Sequence, residues 1–131
     1  MPSSASCGRG SLPSRSVPAR DWRLRIEDIL AAVERVQRYT ARMDLASFLA
    51  DEKTVDAVSF CFGVIGEAAR HIPEDVVAAN PDLPWPEMRA MRNVVVHEYF
   101  GVTQETLWKT AREDLPALVD RLRRLLAEPE P

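Results

Sequence analysis

From Met91 to Val102 the chain reads Met-Arg-Asn-Val-Val-Val-His-Glu-Tyr-Phe-Gly-Val, and this stretch holds its most reactive side chains. His97 is one of two histidines. Arg92 precedes it by five positions and Tyr99 follows it by two. A permanent cation, a group that titrates near neutral pH and a phenol thus fall within two helical turns. Such a set suits a phosphodiester: a guanidinium fork holds phosphate oxygens or stabilises a charged transition state, and an imidazole moves the proton of a ribose hydroxyl or of a leaving oxygen. Asn93 is a candidate hydrogen-bond partner of the substrate, and Arg89 with Arg92 would form a local basic patch. Glu67, on a semi-apolar helical stripe, is a candidate to pair with an arginine of a facing helix or to support the site from behind.

The pattern Arg92-Asn93-x3-His97-x-Tyr99 resembles the Arg-x4-His motif of HEPN-domain ribonucleases, and its longer form resembles the HepT-like toxin branch. The likeness runs on through Phe100-Gly101-Val102. It is accompanied by Ile65-Gly66-Glu67-Ala68, Pro84-Trp85 and Asp114-Leu115-Pro116, and it spans roughly Leu24 to Leu126. The resemblance implies a metal-independent endoribonuclease in which a ribose 2′-hydroxyl attacks its own phosphate, His97 transfers protons and Arg92 stabilises the pentacoordinate charge. It implies a toxin restrained by a minimal nucleotidyltransferase antitoxin that adds nucleotidyl groups to Tyr99. Phosphates on that phenol would block RNA by bulk and like charge.

Geometry limits what one helix does alone. At 100° per residue Arg92 and Tyr99 point almost the same way, whereas Arg92 and His97 diverge by about 140°. Either the last turn loosens ahead of Gly101 and swings His97 round, or a second copy completes the site across a two-fold axis. In HEPN ribonucleases, the resemblance implies, the motifs of two protomers face one cleft.

The elements that must carry these groups are helical. Asp21 is a candidate N-cap for a helix ending near Arg42, with Trp22, Ile26, Ile29, Val33, Val36 and Thr40 on its buried stripe. Asp44 caps a short turn expected to bury Leu45, Phe48 and Leu49. A second long helix, about Glu52 to His71, buries Val55, Val58, Phe62, Ile65, Ala69 and Ile72, and Pro73 stops it. A neighbouring stripe of Phe60, Val64, Glu67 and His71 is expected to widen its buried sector. Gly63 and Gly66 signal close approach of another helix, within the chain or at a dimer seam. His71 reads as a helix-end capping residue.

Pro73 to Asn80 predicts one short helix, and Asp82-Leu83-Pro84-Trp85-Pro86 a rigid connector. The motif helix follows from Pro86 to about Tyr99, with Met88, Met91, Val95 and Val94 or Val96 inward. A last helix, from near Thr103 to about Ala127, should kink at Pro116 while its leucine stripe keeps phase.

Composition sets the remaining bounds. With 131 residues, 46% of them apolar, the chain buries one core, assigned to residues 21–127. Residues 1–20, rich in Ser, Pro and Arg, are expected to be a disordered tail, and 128–131 a frayed acidic end. That tail holds three arginines and no acid, leaving the remainder with 14 basic against 20 acidic residues, a charge of −6. A protein so charged would handle RNA only through a local patch, with a shallow salt slope. Cys7 and Cys61 have neither disulfide nor metal-ligand spacing, so no metal or cofactor is expected and a reducing cytoplasm is the natural setting. No apolar run suits a membrane span.

The sequence therefore predicts an all-α up-down bundle of four to five helices, HEPN-like and homodimeric, acting on RNA. The rival from another class is a non-catalytic HEPN-like dimeric module that binds a nucleotide or the nucleotidyltransferase.

Overall fold

The computed structural model describes residues 19–97 and 104–128, with side chains over 21–93 and 104–128. All elements among the described residues are helical. They are α1 (Ala19–Thr40), α2 (Leu45–Ala50), α3 (Glu52–Arg70), α4 (Glu74–Ala79), α5 (Trp85–His97), α6 (Gln104–Lys109) and α7 (Pro116–Ala127), with a π-helical turn, Thr110–Asp114, between the last two. Of the expected tail, residues 1–18 lie outside the described residues, as do Glu98 to Thr103, Tyr99 among them, and residues 129–131.

The rod at the centre is α3. It packs against α5 on one side and α1 on another, while α1 also packs along α7. The core follows the apolar stripes: Ile26, Ile29, Val33 and Val36 from α1, Val55, Val58, Phe62 and Ile65 from α3, and Met88 and Met91 from α5 are all buried. Leu107, Ala111, Leu115, Leu118, Leu122 and Leu125 close it from the C-terminal side.

Caps set the short elements. Asp44 accepts from the backbone N–H of Ser47 (2.9 Å) while the Ser47 hydroxyl oxygen accepts from the backbone N–H of Asp44 (3.0 Å), a reciprocal box that starts α2. Asp51 does the same work for α3 by accepting from both N–H and hydroxyl of Thr54. These bonds hold both carboxyls below the usual range, chiefly through the Ser47 backbone at Asp44 and the Thr54 hydroxyl at Asp51. Trp85, buried, donates its indole N–H to the Asn80 carbonyl (2.9 Å), which fastens the connector that delivers α5.

Four expectations need correction. Asp21 is not the cap of α1, because the helix begins at Ala19; it lies in the first turn, where its charge still complements the dipole. Leu49 is exposed, since a six-residue helix turns only Phe48 fully inward. The stripe Phe60-Val64-Glu67-His71 does not widen the buried sector of α3: Phe60 is 63% exposed, Val64 is half-buried, and Glu67 and His71 face solvent. Ser59, Cys61, Gly66 and Ala68 take the inward positions, because α1 and α5 grip α3 from the other flank. Finally, the single last helix expected from near Thr103 to about Ala127 is divided: a π turn, closed by Leu115 N–H to the Thr110 carbonyl (3.1 Å), separates α6 from α7, which begins at Pro116. The extra residue in that turn relieves the clash between the proline ring and the preceding turn's carbonyl while the buried leucines stay inward.

Candidate functional site

Helix α5 is seated on α3 at one close crossing. A methyl group added at Gly66 would stand 2.7 Å from Cβ and 2.9 Å from Cα of Arg92, and in conflict with the Arg92 backbone nitrogen as well. Only glycine permits that approach. The paired glycines noted in the sequence thus separate: Gly66 serves packing within the chain, and Gly63 lines an outer groove.

The crossing decides where Arg92 goes. Its backbone is held against Gly66, and its side chain, 52% exposed, reaches Glu67, whose Oε1 lies 3.3 Å from the Arg92 Nε. Of the two arrangements expected for Glu67, pairing with an arginine of a facing helix is therefore present, and that arginine is Arg92. The same carboxylate takes a hydrogen bond from Nε2 of His71 at Oε2 (2.9 Å) and lies 3.4 Å from Nη1 of Arg70. The His71 hydrogen bond, ahead of the charges of Arg92 and Arg70, holds the Glu67 carboxyl below its ordinary range. Glu67 is thus an ionised hub at the rim of α3, gripping Arg92 at Nε rather than at the terminal Nη edge.

Arg89 stands one turn earlier on α5 and has a different setting. Its Nε donates to the Ala69 carbonyl (3.2 Å) and its Nη2 to Glu74 Oε1 (3.1 Å), so it binds a carbonyl at the end of α3 and ties α4 to it. The structure does not bring Arg89 into the Glu67 cluster. Asn93 is exposed beside Arg92. The backbone of α5 is helical through His97, so the two motif positions remain about 140° apart around the axis. The side chain of His97 and the whole of Tyr99 lie outside the described residues.

His71 and Arg70 are members of this cluster that sequence reasoning left out. The signal was present: from Glu67, Arg70 is at i+3 and His71 at i+4, the spacings at which helix side chains meet. Among the described residues no three His, Cys, Asp or Glu side chains converge as a metal-ion set. No helix among them is long and apolar enough to cross a membrane. Cys61 is buried, and burial pushes its thiol pKa up, which keeps it protonated and unreactive.

Alongside the cluster, α1 and α3 form an open groove of about 340 Å³ between Arg25 and Asp28 on one side and Phe60, Gly63, Val64 and Glu67 on the other. Its floor is apolar and its rim carries both signs of charge.

The described residues are all helical, with an arginine paired to a carboxylate at a glycine crossing, five residues before a histidine on the same helix. Residues 29–125 match the family described as Ribonuclease HepT-like, and the chain belongs to that family. It is 41% identical over 100 residues to a probable ribonuclease HepT of Thermococcus cleftensis, an alignment covering 76% of this chain and 91% of that protein. Two putative RNases of Methanocaldococcus jannaschii are each 32% identical over 114 residues, covering 87% of this chain and 98% and 94% of theirs. No solved structure matches the chain significantly.

Proposed function

We propose that this protein is a metal-independent endoribonuclease, the toxin of a toxin–antitoxin pair, working in the cytoplasm as a homodimer. The observation that carries the reading is the Arg92 guanidinium, solvent-accessible yet held in place by Glu67 on one side and by the Gly66 crossing beneath. A cation so fixed is ready to meet charge that develops on a phosphate, without reorganising at the moment of reaction. His97 takes the proton of the ribose 2′-hydroxyl and returns one to the leaving oxygen. The 2′-oxygen bonds to phosphorus as the bond to the 5′-oxygen breaks, leaving a 2′,3′-cyclic phosphate and a free 5′-hydroxyl. Asn93 contacts the substrate from the next position, and Glu67 acts by orienting Arg92.

Three features support the homodimer. Arg92 and His97 diverge on a helix that stays regular through His97, so a second copy is the simpler way to bring both groups to one phosphate. The groove beside Glu67 exposes Phe60 and borders exposed Leu24, an apolar face next to the site. Arg25 and Asp28 lie one turn apart on that face, so a two-fold axis placed between two copies would pair each arginine with the other copy's aspartate. The restraining partner is a nucleotidyltransferase that modifies Tyr99, two positions after His97 in the chain.

A second reading, a non-catalytic dimeric module for a nucleotide or for the nucleotidyltransferase, is favoured by the −6 charge outside the N-terminal arginines. RNA cleavage in EDTA separates the two. Wild type should cut, and Arg92→Ala and His97→Ala should each lose about 100-fold or more in rate. Mixing the two inactive variants should restore part of the activity, because a mixed dimer contains one intact composite site. Inert wild type supports the module, and failure of the mixture to recover supports a site within one protomer.

A further inference from the structure

We propose that the C-terminal half of α1 is a binding strip for single-stranded RNA, on which the guanidinium groups of Arg35, Arg38 and Arg42 take backbone phosphates and the ring of Tyr39 stacks on a base. The inference rests on the ribonuclease reading given above and names where the strand beyond the scissile phosphate runs. Such a strand brings several phosphates, and the two arginines of the motif helix are already engaged: Arg89 binds the Ala69 carbonyl and Glu74, and Arg92 binds Glu67. Outside residues 1–20 acids outnumber bases by six, so a cluster of unpaired cations is unexpected. One is present on α1. Between Ile29 and Met43 the single acid is Glu34, and it is taken by Arg123 at 2.6 Å. Arg35, Arg38 and Arg42 are exposed, and none of them forms an ion pair among the described residues.

Helix spacing puts these groups on one face. From Tyr39, Arg35 stands four residues back and Arg42 three residues on, so each is a neighbour one turn away, with Arg38 at their edge. The run from Arg35 to Arg42 covers about 10 Å of helix. Tyr39 is 41% exposed, an aromatic ring left open between cations. That combination holds an unpaired strand: the cations follow the phosphates, and the ring offers a stacking face to any base. An acidic protein surface would use the charges and have no need of the ring. The strip also leads towards the motif. Arg25 and Asp28 share a groove with Val64 and Glu67, whereas Arg35 and Arg38 lie beside Cys61, so α1 and α3 run antiparallel. Cys61 precedes Glu67 by six residues, about 9 Å along α3. The strip therefore begins less than two turns from the carboxylate that holds Arg92, close enough for one strand to touch both.

The test measures binding of the full chain, in EDTA and over a range of salt concentrations, to a short labelled single-stranded RNA whose riboses are 2′-O-methylated so that it cannot be cut. Each of Arg35→Gln, Arg38→Gln and Arg42→Gln should weaken binding and lower the slope of log K against log salt by about 0.7, the share of one phosphate contact on a single strand. The triple variant should lower it by about 2. Arg35→Lys, Arg38→Lys and Arg42→Lys together should keep the slope, which separates lost charge from a damaged fold. Arg124→Gln, at an exposed arginine in the last turn of α7, should keep it too. Tyr39→Ala should weaken binding about fivefold or more at an unchanged slope, and Tyr39→Phe should bind as wild type does. Wild-type affinity and slope in the triple glutamine variant would overturn the proposal and leave the strip to an acidic protein; wild-type affinity in Tyr39→Ala would overturn it as a single-strand site. Because the probe cannot be cut, the outcome is independent of the cleavage assay. A protein that binds along the strip and cuts nothing keeps this proposal and loses the catalytic one; cleavage by wild type with strip variants that bind unchanged does the opposite.

Discussion

Arg89 and Arg92 stand one turn apart on α5, and the comparison between their surroundings shows how position assigns work to identical side chains. Arg89 falls where α3 ends. The Ala69 carbonyl there needs a donor and Glu74 of α4 is in reach, so its side chain is 29% exposed and its guanidinium engaged on two sides. Arg92 falls on the glycine crossing, where the backbones are too close for its side chain to run between the helices. It therefore emerges over the rim of α3 and meets Glu67 with just over half its surface in solvent. One arginine closes a helix end; the other is presented to the outside and steadied.

The sharpest way to break this contrast is to remove each arginine in turn. Arg92→Ala should abolish RNA cleavage, about 100-fold or more, with a melting curve close to wild type, since its ion pair is exposed. Arg89→Ala should do the reverse: most activity per folded molecule retained, and stability lowered by about 1–2 kcal/mol as the carbonyl at the end of α3 loses its charged donor. Chemical denaturation beside initial rates checks both. Equal losses of activity from the two variants would erase the distinction.

Gly66→Ala sharpens it further. The added methyl group has no room against the Arg92 backbone, so α5 must lift from α3, at a cost of about 1–3 kcal/mol. Cleavage should fall more than stability explains, because the displacement is centred on Arg92. If the variant melts lower yet cuts RNA normally once folded, the crossing serves packing alone.

The smallest effect expected is at acid pH. Folding holds the carboxyls of Asp44, Asp51 and Glu67 below their ordinary values, so the ionised forms stabilise the fold above about pH 4, and that contribution is lost as the pH falls through the lowered values. The melting temperature should decline below about pH 4, and Asp44→Ala with Asp51→Ala should flatten that decline. Glu67→Gln should flatten it least, being far from a helix start; the comparison fails if Glu67→Gln dominates.

Much of this protein was legible from residue order because the deciding interactions are local. Apolar spacing marked the inner faces of α1, α3 and α7, and Asp44 and Pro73 marked helix boundaries, all within a few turns of chain. The same local order misjudged Phe60 and Val64, since an apolar stripe records what a helix prefers to cover and not which neighbour arrives to cover it. Tertiary structure alone settled that Gly66 backs Arg92, that Glu67 turns to Arg92 and His71 together, and that Arg89 is taken up at the end of α3. Except for the His71 bond at the end of α3, these are contacts between segments 15 or more residues apart, fixed by how α5 crosses α3. Helix periodicity constrains each helix about its own axis and says nothing of that crossing.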